Sequence, residues 1–507
     1  MTVGLDLLLR DGLVVDPESG TAERRDLLLS DGKIASVGAP GTFSAPQAEV
    51  IDAARRLVLP AFVNSHTHGH ASLMKGAADR WTLEASLTNG PWLGGARDPE
   101  TIYLSTLLTA VDLLSKGCTA CYDLVYQFPS PTPEGFAAVA QAYTDAGIKA
   151  VLAPMVADRS LYQAIPGLME ALPSELRAEV SGAALDGDAV IAAVRDVVSG
   201  KDSLPVGISF AVAPTIPHHC SERFLMACVA IAEDNGLPLH MHVAESRLQV
   251  VAAYELYGSS PVAYLERLGV LRPGFTAAHG VWLDEADLDQ LAAHGCAIAH
   301  IPASNLRLGS GFARLRPMLE RGITVGLATD GSNSSDALSM PMAVRLASYG
   351  ARLFAGSRDD WPSAAEVLRL ATAGGADLMG IAGARIRPGA PADLVLFDLD
   401  HVDFLPLTDP VNQLVTAADS ASIRMVIADG RIAVSDGRVL TVDTSDLADR
   451  LDAAIGRLGP ALASAKALAA RLEPHVVAFA EGKASVPLPI ERFIVEGAGN
   501  QSFGGTA

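Results

Sequence analysis

Apolar residues follow three successive rhythms along the chain. Up to about residue 56, short apolar runs are separated by turns, and Asp11-Gly12 and Asp31-Gly32 are typical of β-hairpins. From residue 57 onward, short apolar runs alternate with longer helical patterns, several of which end in a glycine such as Gly236 or Gly295. Beyond residue 386 short strand patterns return, followed by a helical stretch rich in Ala and Leu from Ser445 to Ala480.

This order of elements predicts an α/β protein. Repeated alternation of strands and helices predicts parallel strands closed into a (β/α)8 TIM barrel. The two flanking groups of strands predict one small β-sandwich domain, built from both terminal segments. The expected divisions are an N-terminal sandwich segment at residues 1–56, the barrel at 57–385, a second sandwich segment at 386–440, and a C-terminal helical extension and tail at 441–507. We expect the extension to pack on the outside.

Charge and hydropathy limit the kinds of partner. The 507-residue chain carries a formal net charge of −20, which argues against nucleic acid or anionic membrane as the main partner. Charged residues or Pro interrupt every long apolar segment, so no membrane span is predicted. The N-terminus lacks the pattern of a signal peptide. We therefore expect a cytoplasmic protein that acts on a small molecule.

Two histidines stand at the end of the first predicted barrel strand. His66 and His68 belong to the segment Asn64-Ser65-His66-Thr67-His68, which directly follows the apolar run from Leu57 to Val63. Because side chains alternate along a strand, residues at i and i+2 lie on the same face. Two neighbouring imidazoles at the end of a buried strand are the beginning of a divalent-metal site.

Later strand ends supply the remaining chemistry. Catalytic residues of barrel enzymes lie at the C-terminal ends of the strands, and these ends carry His240, His242, Glu245, His279, His300, Ser304, Asn305 and Asp330. Three imidazoles and one carboxylate suit zinc, or iron with similar ligands. A metal with an open position makes hydroxide from bound water near neutral pH. Glu245, just past its strand, fits a general acid/base that is not a ligand.

Five motifs occur in a fixed order: Pro60-Ala61-Phe62-Val63-Asn64-Ser65-His66-Thr67-His68, His240-Met241-His242-Val243-Ala244-Glu245, Ala278-His279-Gly280, His300-Ile301-Pro302-Ala303-Ser304-Asn305-Leu306 and Thr329-Asp330-Gly331. Together they resemble the amidohydrolase superfamily, in the branch of the cytosine deaminases, S-adenosylhomocysteine deaminases and triazine hydrolases. A lone His-x-His would be weak support, whereas five ordered motifs are strong support.

The resemblance implies a role for each matching residue. The metal ligands would be His66, His68, His242 and Asp330. Glu245 would shuttle a proton, His279 would help to deprotonate the metal-bound water, and Asp330 would also orient the hydroxide. Binuclear members use a bridging carboxylated lysine, and the segment from residue 206 to 219 contains no Lys. We therefore expect one metal ion, zinc or alternatively iron, and a homo-oligomer as is common in the family.

The remaining polar residues receive supporting roles. We expect His240, His300 and Asn305 to brace the metal ligands. Related adenosine-type deaminases carry a substrate-contacting histidine where this chain has Thr215, which puts a nucleoside substrate in doubt. The expected substrate-binding residues are His70, Trp92, Thr215, His218, His219, Trp282 and Ser304, of which Ser304 is also a candidate for bracing.

The function expected from these residues is hydrolytic deamination of an amino-substituted nitrogen heterocycle, such as a purine, pyrimidine or triazine. The same site would also suit hydrolysis of an amide, urea, carbamate or chloro-substituted ring. A non-catalytic binding protein on the same fold is a third hypothesis. Simpler explanations stay open for single residues, since Asp330-Gly331 is also a turn signal and Glu245 could merely begin a helix.

Overall fold

The computed structural model describes residues 6–77, 79–93, 95, 97–181, 185–335 and 337–492, with the backbone alone at 91–93. The strands are β1 (Leu7–Asp16), β2 (Thr21–Ser30), β3 (Lys33–Gly38), β4 (Glu49–Asp52), β5 (Arg56–Pro60), β6 (Phe62–Thr67), β7 (Cys118–Val125), β8 (Lys149–Val156), β9 (Ile208–Phe210), β10 (Ala213–Pro214), β11 (Leu239–Val243), β12 (Phe275–His279), β13 (Ala297–His300), β14 (Thr324–Leu327), β15 (Leu394–Asp398), β16 (Ile423–Ala428), β17 (Arg431–Ser435) and β18 (Arg438–Val439).

The α-helices are α1 (Leu83–Leu93), α2 (Pro99–Ser115), α3 (Pro133–Ala146), α4 (Leu161–Ala164), α5 (Leu168–Ala171), α6 (Ser174–Ser181), α7 (Gly187–Ser199), α8 (Glu222–Asp234), α9 (Arg247–Tyr257), α10 (Pro261–Arg267), α11 (Glu285–Ala293), α12 (Pro302–Arg307), α13 (Leu315–Glu320), α14 (Met340–Ala351), α15 (Ala364–Arg369), α16 (Gly375–Met379), α17 (Pro410–Thr416) and α18 (Thr444–Ala484). In the described part of the chain, no helix combines the length and the apolar character needed to cross a membrane.

The middle of the chain forms a TIM barrel. Parallel pairing joins β6, β7 and β8, and both β9 and β10 pair with β8 as two pieces of one interrupted strand. A second parallel group runs β11-β12-β13-β14. A bridge between Val212 and Leu239 links the two groups, and the Asp330 amide donates to the His66 carbonyl where β14 meets β6. The predicted barrel is therefore confirmed.

Small side chains fill the barrel interior below the strand ends. The buried interior cluster contains Ala120, Ala153, Ala213, Ala278 and Ala299. Alanine leaves little bulk on the inward-facing positions, so strands can approach and larger side chains fit at the C-terminal ends. Two barrel strands approach closely at Gly326 in β14, where an added Cβ would lie 2.9 Å from Ser65 Cβ in β6.

Strands from the two termini pair in one nine-stranded sheet. Its path is β18-β17-β16-β15-β5-β1-β2-β3, with β4 paired to β1. The segments meet where β15 runs antiparallel to β5, with Leu394 opposite Pro60. Lys149, at the start of barrel strand β8, forms ion pairs with Asp393 and Asp429 at 2.7 and 2.6 Å, which tie this sheet to the barrel.

The structure corrects one sequence boundary. The apolar run from Leu57 to Val63 was expected to open the barrel, but it is two strands. β5 belongs to the terminal sheet, and the chain changes partners at Ala61, whose amide donates to the Asp393 carbonyl. The next amide, of Phe62, donates to the Gly117 carbonyl in front of β7. A run of apolar residues reports burial, and burial is the same on either side of this change of partner.

Candidate active site

The predicted histidines and carboxylates meet at the C-terminal end of the barrel. His66 lies in β6, His68 just beyond it, His242 in β11 and Asp330 just beyond β14. Asp330 Oδ1 lies 3.3 Å from His68 Nε2 and 3.7 Å from His66 Nε2. His242 Nε2 lies 3.4 Å from His68 Nε2. Four potential ligand atoms thus face one small volume.

Backbone carbonyls set the orientation of two of these imidazoles. His68 Nδ1 donates to the Leu124 carbonyl and His242 Nδ1 to the Thr215 carbonyl, both at 2.9 Å. A carbonyl can only accept a hydrogen bond, so each Nδ1 carries the proton and each Nε2 keeps a lone pair directed at the cluster. The Nδ1 atom of His66 lies 3.0 Å from His240 Nε2.

The cluster fits a divalent metal ion. Burial lowers the pKa of His66 well below its usual range and that of His242 to about 3, which keeps both rings in the neutral form that binds metals. Burial alone would raise the pKa of Asp330, but His68, His279 and a hydrogen bond from Ser304 hold it low. His66 Nε2 is buried and has no hydrogen-bond partner in the described structure. Such an orphaned lone pair is what a metal ligand would present.

Glu245 and His279 face each other beside the cluster. Their Oε1 and Nε2 atoms are 3.6 Å apart. His279 Nδ1 lies 2.8 Å from Asn305 Oδ1, so its proton is held there and its Nε2 is a free acceptor. Burial raises the pKa of Glu245 well above its usual range, and the charges of Asp330 and Glu84 add to this. Glu245 can therefore hold a proton at neutral pH.

Unusual backbone geometry accompanies three of these residues. Ala244, His279 and Asp330 have φ values of 51°, 69° and 68°. Positive φ is uncommon for residues other than glycine, and such strain tends to occur at functional sites. At all three positions the chain turns sharply as it leaves a barrel strand. Ala244 precedes Glu245, so each turn aims a chemically important side chain at the cluster.

Neighbouring polar side chains hold the strand ends that carry the cluster residues. Ser304 donates to Asp330 Oδ2 at 2.6 Å. Asn64 makes two hydrogen bonds to Thr329, at 2.8 and 3.0 Å, that join β6 to the segment after β14. Sequence reasoning assigned no role to Asn64, although a buried amide inside an apolar strand beside His-x-His was a usable signal. His300 is buried 5.3 Å from the Phe312 ring, and no hydrogen bond to a ligand is found among the described residues.

A cavity of about 430 Å³ opens from the cluster. Three of the expected substrate-binding residues line it: His70, Thr215 and His219. In the described structure three others, His218, Trp282 and Ser304, do not line it, which corrects that expectation; Ser304 instead donates to Asp330. His218 is buried beside His219. Trp282 is buried in the core, where its indole N–H donates to the Ser310 carbonyl at 2.7 Å. The Trp92 side chain lies outside the described residues.

Known proteins are similar to this chain over most of its length. The model described as "Amidohydrolase family" matches residues 57–433. The 5'-deoxyadenosine deaminase of Methanothermobacter thermautotrophicus is 30% identical over 88% of this chain and 98% of its own length. The 5-methylthioadenosine/S-adenosylhomocysteine deaminase of Pyrococcus furiosus is 30% identical over 88% and 99%. The atrazine chlorohydrolase of Arthrobacter aurescens TC1, solved with zinc, superimposes with a TM-score of 0.76 at 26% identity, covering 89% of this chain and 100% of its own.

Proposed function

Since the chain belongs to the amidohydrolase family, we propose that it is a metal-dependent hydrolase that deaminates an amino-substituted nitrogen heterocycle of the purine, pyrimidine or triazine type. The observation that carries this proposal is the arrangement of Glu245 and His279, 3.6 Å apart, beside a cluster of ligand atoms that fits a metal. A nucleophile, a proton donor and an acceptor for a second proton are the requirements of hydrolytic C–N cleavage.

We assign the metal to His66, His68, His242 and Asp330, as one zinc ion with iron as the alternative. When bound, such an ion would supply hydroxide from water at neutral pH. The donor set of three imidazoles and one carboxylate supports zinc. A zinc-bound structural relative supports it further. The segment from residue 206 to 219 has no lysine that could become a bridging ligand to a second ion.

The protein's own residues would handle the protons. His279 Nε2, free because Nδ1 is held by Asn305, would accept a proton from water. Glu245 would give its proton to a ring nitrogen, then take the proton of the new hydroxyl group and deliver it to the amino group, which leaves as ammonia. The proton held by His279 would then return to Glu245, 3.6 Å away, and restore both residues. Loss of an amino group and gain of oxygen at the same ring carbon balance this reaction. His240 and Ser304 would brace the ligands His66 and Asp330, and Asn305 would hold His279. His70, Thr215 and His219 would contact the substrate.

A second candidate is displacement of another substituent by the same site. Atrazine chlorohydrolase is a structural relative of this chain, and an amide, urea, carbamate or chloro-substituted ring needs the same nucleophile and acid. The two candidates differ in the product released, ammonia or chloride from a ring. We give deamination precedence because the similar relatives include two deaminases.

Other properties are proposed on narrower grounds. The terminal strands share one buried apolar cluster that includes Leu9, Leu27, Val58 and Leu394, which supports a β-sandwich around that cluster. The net charge of −20 supports a small-molecule substrate rather than nucleic acid or membrane. A homo-oligomeric state and a cytoplasmic location stay predictions.

The test is ammonia release from aminopurines, aminopyrimidines and aminotriazines by zinc-loaded protein, with products identified by mass. Glu245→Gln should retain zinc and lose at least about 100-fold in kcat, as loss of a general acid/base does. Glu266→Gln, on the partly exposed surface of α10, is the matched control and should behave like the wild type. Zinc-loaded protein that releases neither ammonia nor chloride from any ring would contradict the proposal.

The ligand assignment has its own test. His242→Ala should lose zinc by elemental analysis as well as activity, because one of four proposed ligands is gone. His294→Ala, at an exposed position after α11, controls for the general loss of a histidine. Full zinc content in His242→Ala would remove His242 from the ligand set.

A further inference from the structure

The cavity above the cluster extends into a large apolar chamber. Its inner end is lined by the cluster residues His68, His242, Glu245 and Asp330. Farther out, apolar side chains from several elements line it: Leu83 and Leu87 of α1, Met155 of β8, Leu161 and Tyr162 of α4, and Phe128. The volume of about 430 Å³ is in the range of pockets that enclose drug-sized ligands, and it exceeds what a single amino-substituted ring would occupy.

Helix α18 provides one wall of this chamber. Ala465, Leu468, Ala469 and Leu472 line the cavity, and their spacing of three and four residues places them on one face of the helix. This helix begins at Thr444, beyond residue 433 where the match to the family model ends. The C-terminal extension therefore does not simply pack on the outside, as its composition led us to expect. It contributes directly to the substrate space.

Polar contacts fasten α18 across the mouth of the barrel. Arg471 makes two hydrogen bonds to Glu179 of α6, at 2.7 and 3.0 Å. Glu473 accepts a hydrogen bond from Asn89 of α1 at 2.9 Å. Near the C-terminal end of the helix, Lys483 donates to the Pro166 carbonyl at 2.7 Å. The apolar face of the helix is thus held over the chamber by contacts on both sides.

The described lining of the chamber offers a ribose no carboxylate that is free of other roles. A vicinal diol is commonly bound by a carboxylate. In the described portion of the lining the carboxylates are Glu179, Glu245 and Asp330. The last two belong to the catalytic cluster, and Glu179 is paired with Arg471. A ribose would therefore depend on neutral groups of the lining such as Gln127, Ser130 and Asn333, and each sugar hydroxyl that none of them reached would weaken binding by roughly tenfold. Arg159, half-buried in the lining, is the cation that an anionic substituent would meet.

We infer that the substrate is an amino-substituted ring bearing a large apolar substituent, which lies in the chamber between α18, α1 and α4. This inference rests on the proposed function and deepens it. The ring would lie at the inner end, where His219 offers a ring nitrogen with no hydrogen-bond partner in the described structure. The apolar substituent would extend outward along Ala465, Leu468 and Ala469.

A homologous substrate series tests the inference. The zinc-loaded full chain is assayed with aminotriazines carrying one n-alkylamino chain from methyl to octyl, beside adenosine. We expect kcat/KM to rise by about fourfold per methylene until the chamber is full, and to exceed that of adenosine by at least about tenfold. Calorimetric binding of the same compounds to Glu245→Gln protein provides a second readout that does not depend on turnover.

Variants of α18 identify the wall. Ala465→Phe should shift the preferred chain to shorter lengths, and Leu468→Ala should shift it to longer ones, so the two variants move the optimum in opposite directions. Ala467→Phe changes a neighbouring but exposed position and is the matched control, with an unchanged length profile. If Ala465→Phe fails to fold, Leu468→Ala alone still tests the direction.

The outcomes separate this inference from the proposed function. Length-dependent binding without turnover would preserve the chamber and reject the deaminase. Turnover with a flat length profile, or a preference for adenosine, would overturn the chamber and leave the deaminase. A preference for carboxylate-bearing chains that Arg159→Gln abolishes would also overturn it. If no member of the series binds or reacts, both proposals fail.

Discussion

Gly326→Ala is predicted to loosen the floor of the active site. Gly326 lies in β14, directly against β6. An added Cβ would lie 2.1 Å from Ser65 Oγ, 2.9 Å from Ser65 Cβ and 3.1 Å from Gly375 Cα. The Ser65 hydroxyl can rotate away, but Ser65 Cβ is fixed by its own backbone and Gly375 Cα is a backbone atom. Carbon atoms prefer separations of about 3.5–4.0 Å, so β14 must move by roughly half an ångström or more.

Two measurable effects should follow from that movement. Overpacking of a core costs about 1–3 kcal/mol, which for a chain of this size lowers Tm by a few degrees. The shift also separates two proposed ligands, because His66 follows Ser65 in β6 and Asp330 follows Gly326 just beyond β14. Misplacement of reacting groups by about 1 Å can cost about 100-fold in rate. Thermal unfolding, zinc content and kcat would each report this change.

A second substitution distinguishes this clash from a general loss of stability. Ser65→Gly removes two of the three close contacts, so the double variant Ser65→Gly/Gly326→Ala should be more stable than the sum of the single effects by about 1 kcal/mol. Gly456→Ala, where nothing lies within 4 Å of the new Cβ on exposed α18, is the control and should be neutral or stabilising. Wild-type Tm and zinc content in Gly326→Ala would refute the reasoning.

Three further predictions concern the bracing contacts, the ion pairs between the terminal sheet and the barrel, and the metal. Asn305→Leu removes the acceptor that holds His279 Nδ1, so kcat should fall by about 10- to 100-fold with zinc retained; an unchanged kcat would exclude this role. Asp393→Ala leaves Lys149, largely buried, with Asp429 alone, and urea unfolding should record a loss of about 2–3 kcal/mol; a loss under about 0.5 kcal/mol would contradict it. Zinc at a free concentration 100 times its Kd should raise the free energy of unfolding of the metal-depleted protein by about 2.7 kcal/mol. An unchanged Tm would argue against a metal site in the folded state.

Most of the fold could be predicted from the sequence because the two patterns that indicate it are local. Strand–helix alternation implies parallel strands regardless of distant contacts, and the barrel then places every strand end at one face. For this reason the sequence alone predicts that His66, His242 and Asp330, which are far apart in the chain, lie close together in the fold. The change of sheet at Ala61 was not readable, because an apolar run gives the same pattern on either side of it.

The direction in which the side chains of the site point depends on backbone geometry that the amino-acid composition does not reveal. Ala244, His279 and Asp330 adopt positive φ. None of them is a glycine, the residue type that indicates such a turn in a sequence. Trp282 was expected near the substrate because of its large flat ring, yet its N–H is satisfied by the Ser310 carbonyl inside the core. The residue type shows which interactions a side chain can make, whereas its location in the fold depends on the partner with which it makes them.

For the same reason, the catalytic residues can be predicted from the sequence more completely than the residues that determine substrate specificity. The proposed ligands and Glu245 lie on or just beyond barrel strands, and their positions follow from strand order alone. The chamber wall instead comes from Ala465, Leu468 and Ala469, in a helix outside the barrel. Their spacing marks an apolar face, but helical periodicity does not say whether a face covers a core or a cavity. A relative with the same cluster and a different covering helix would therefore be expected to share the reaction and differ in the substituent that it accepts.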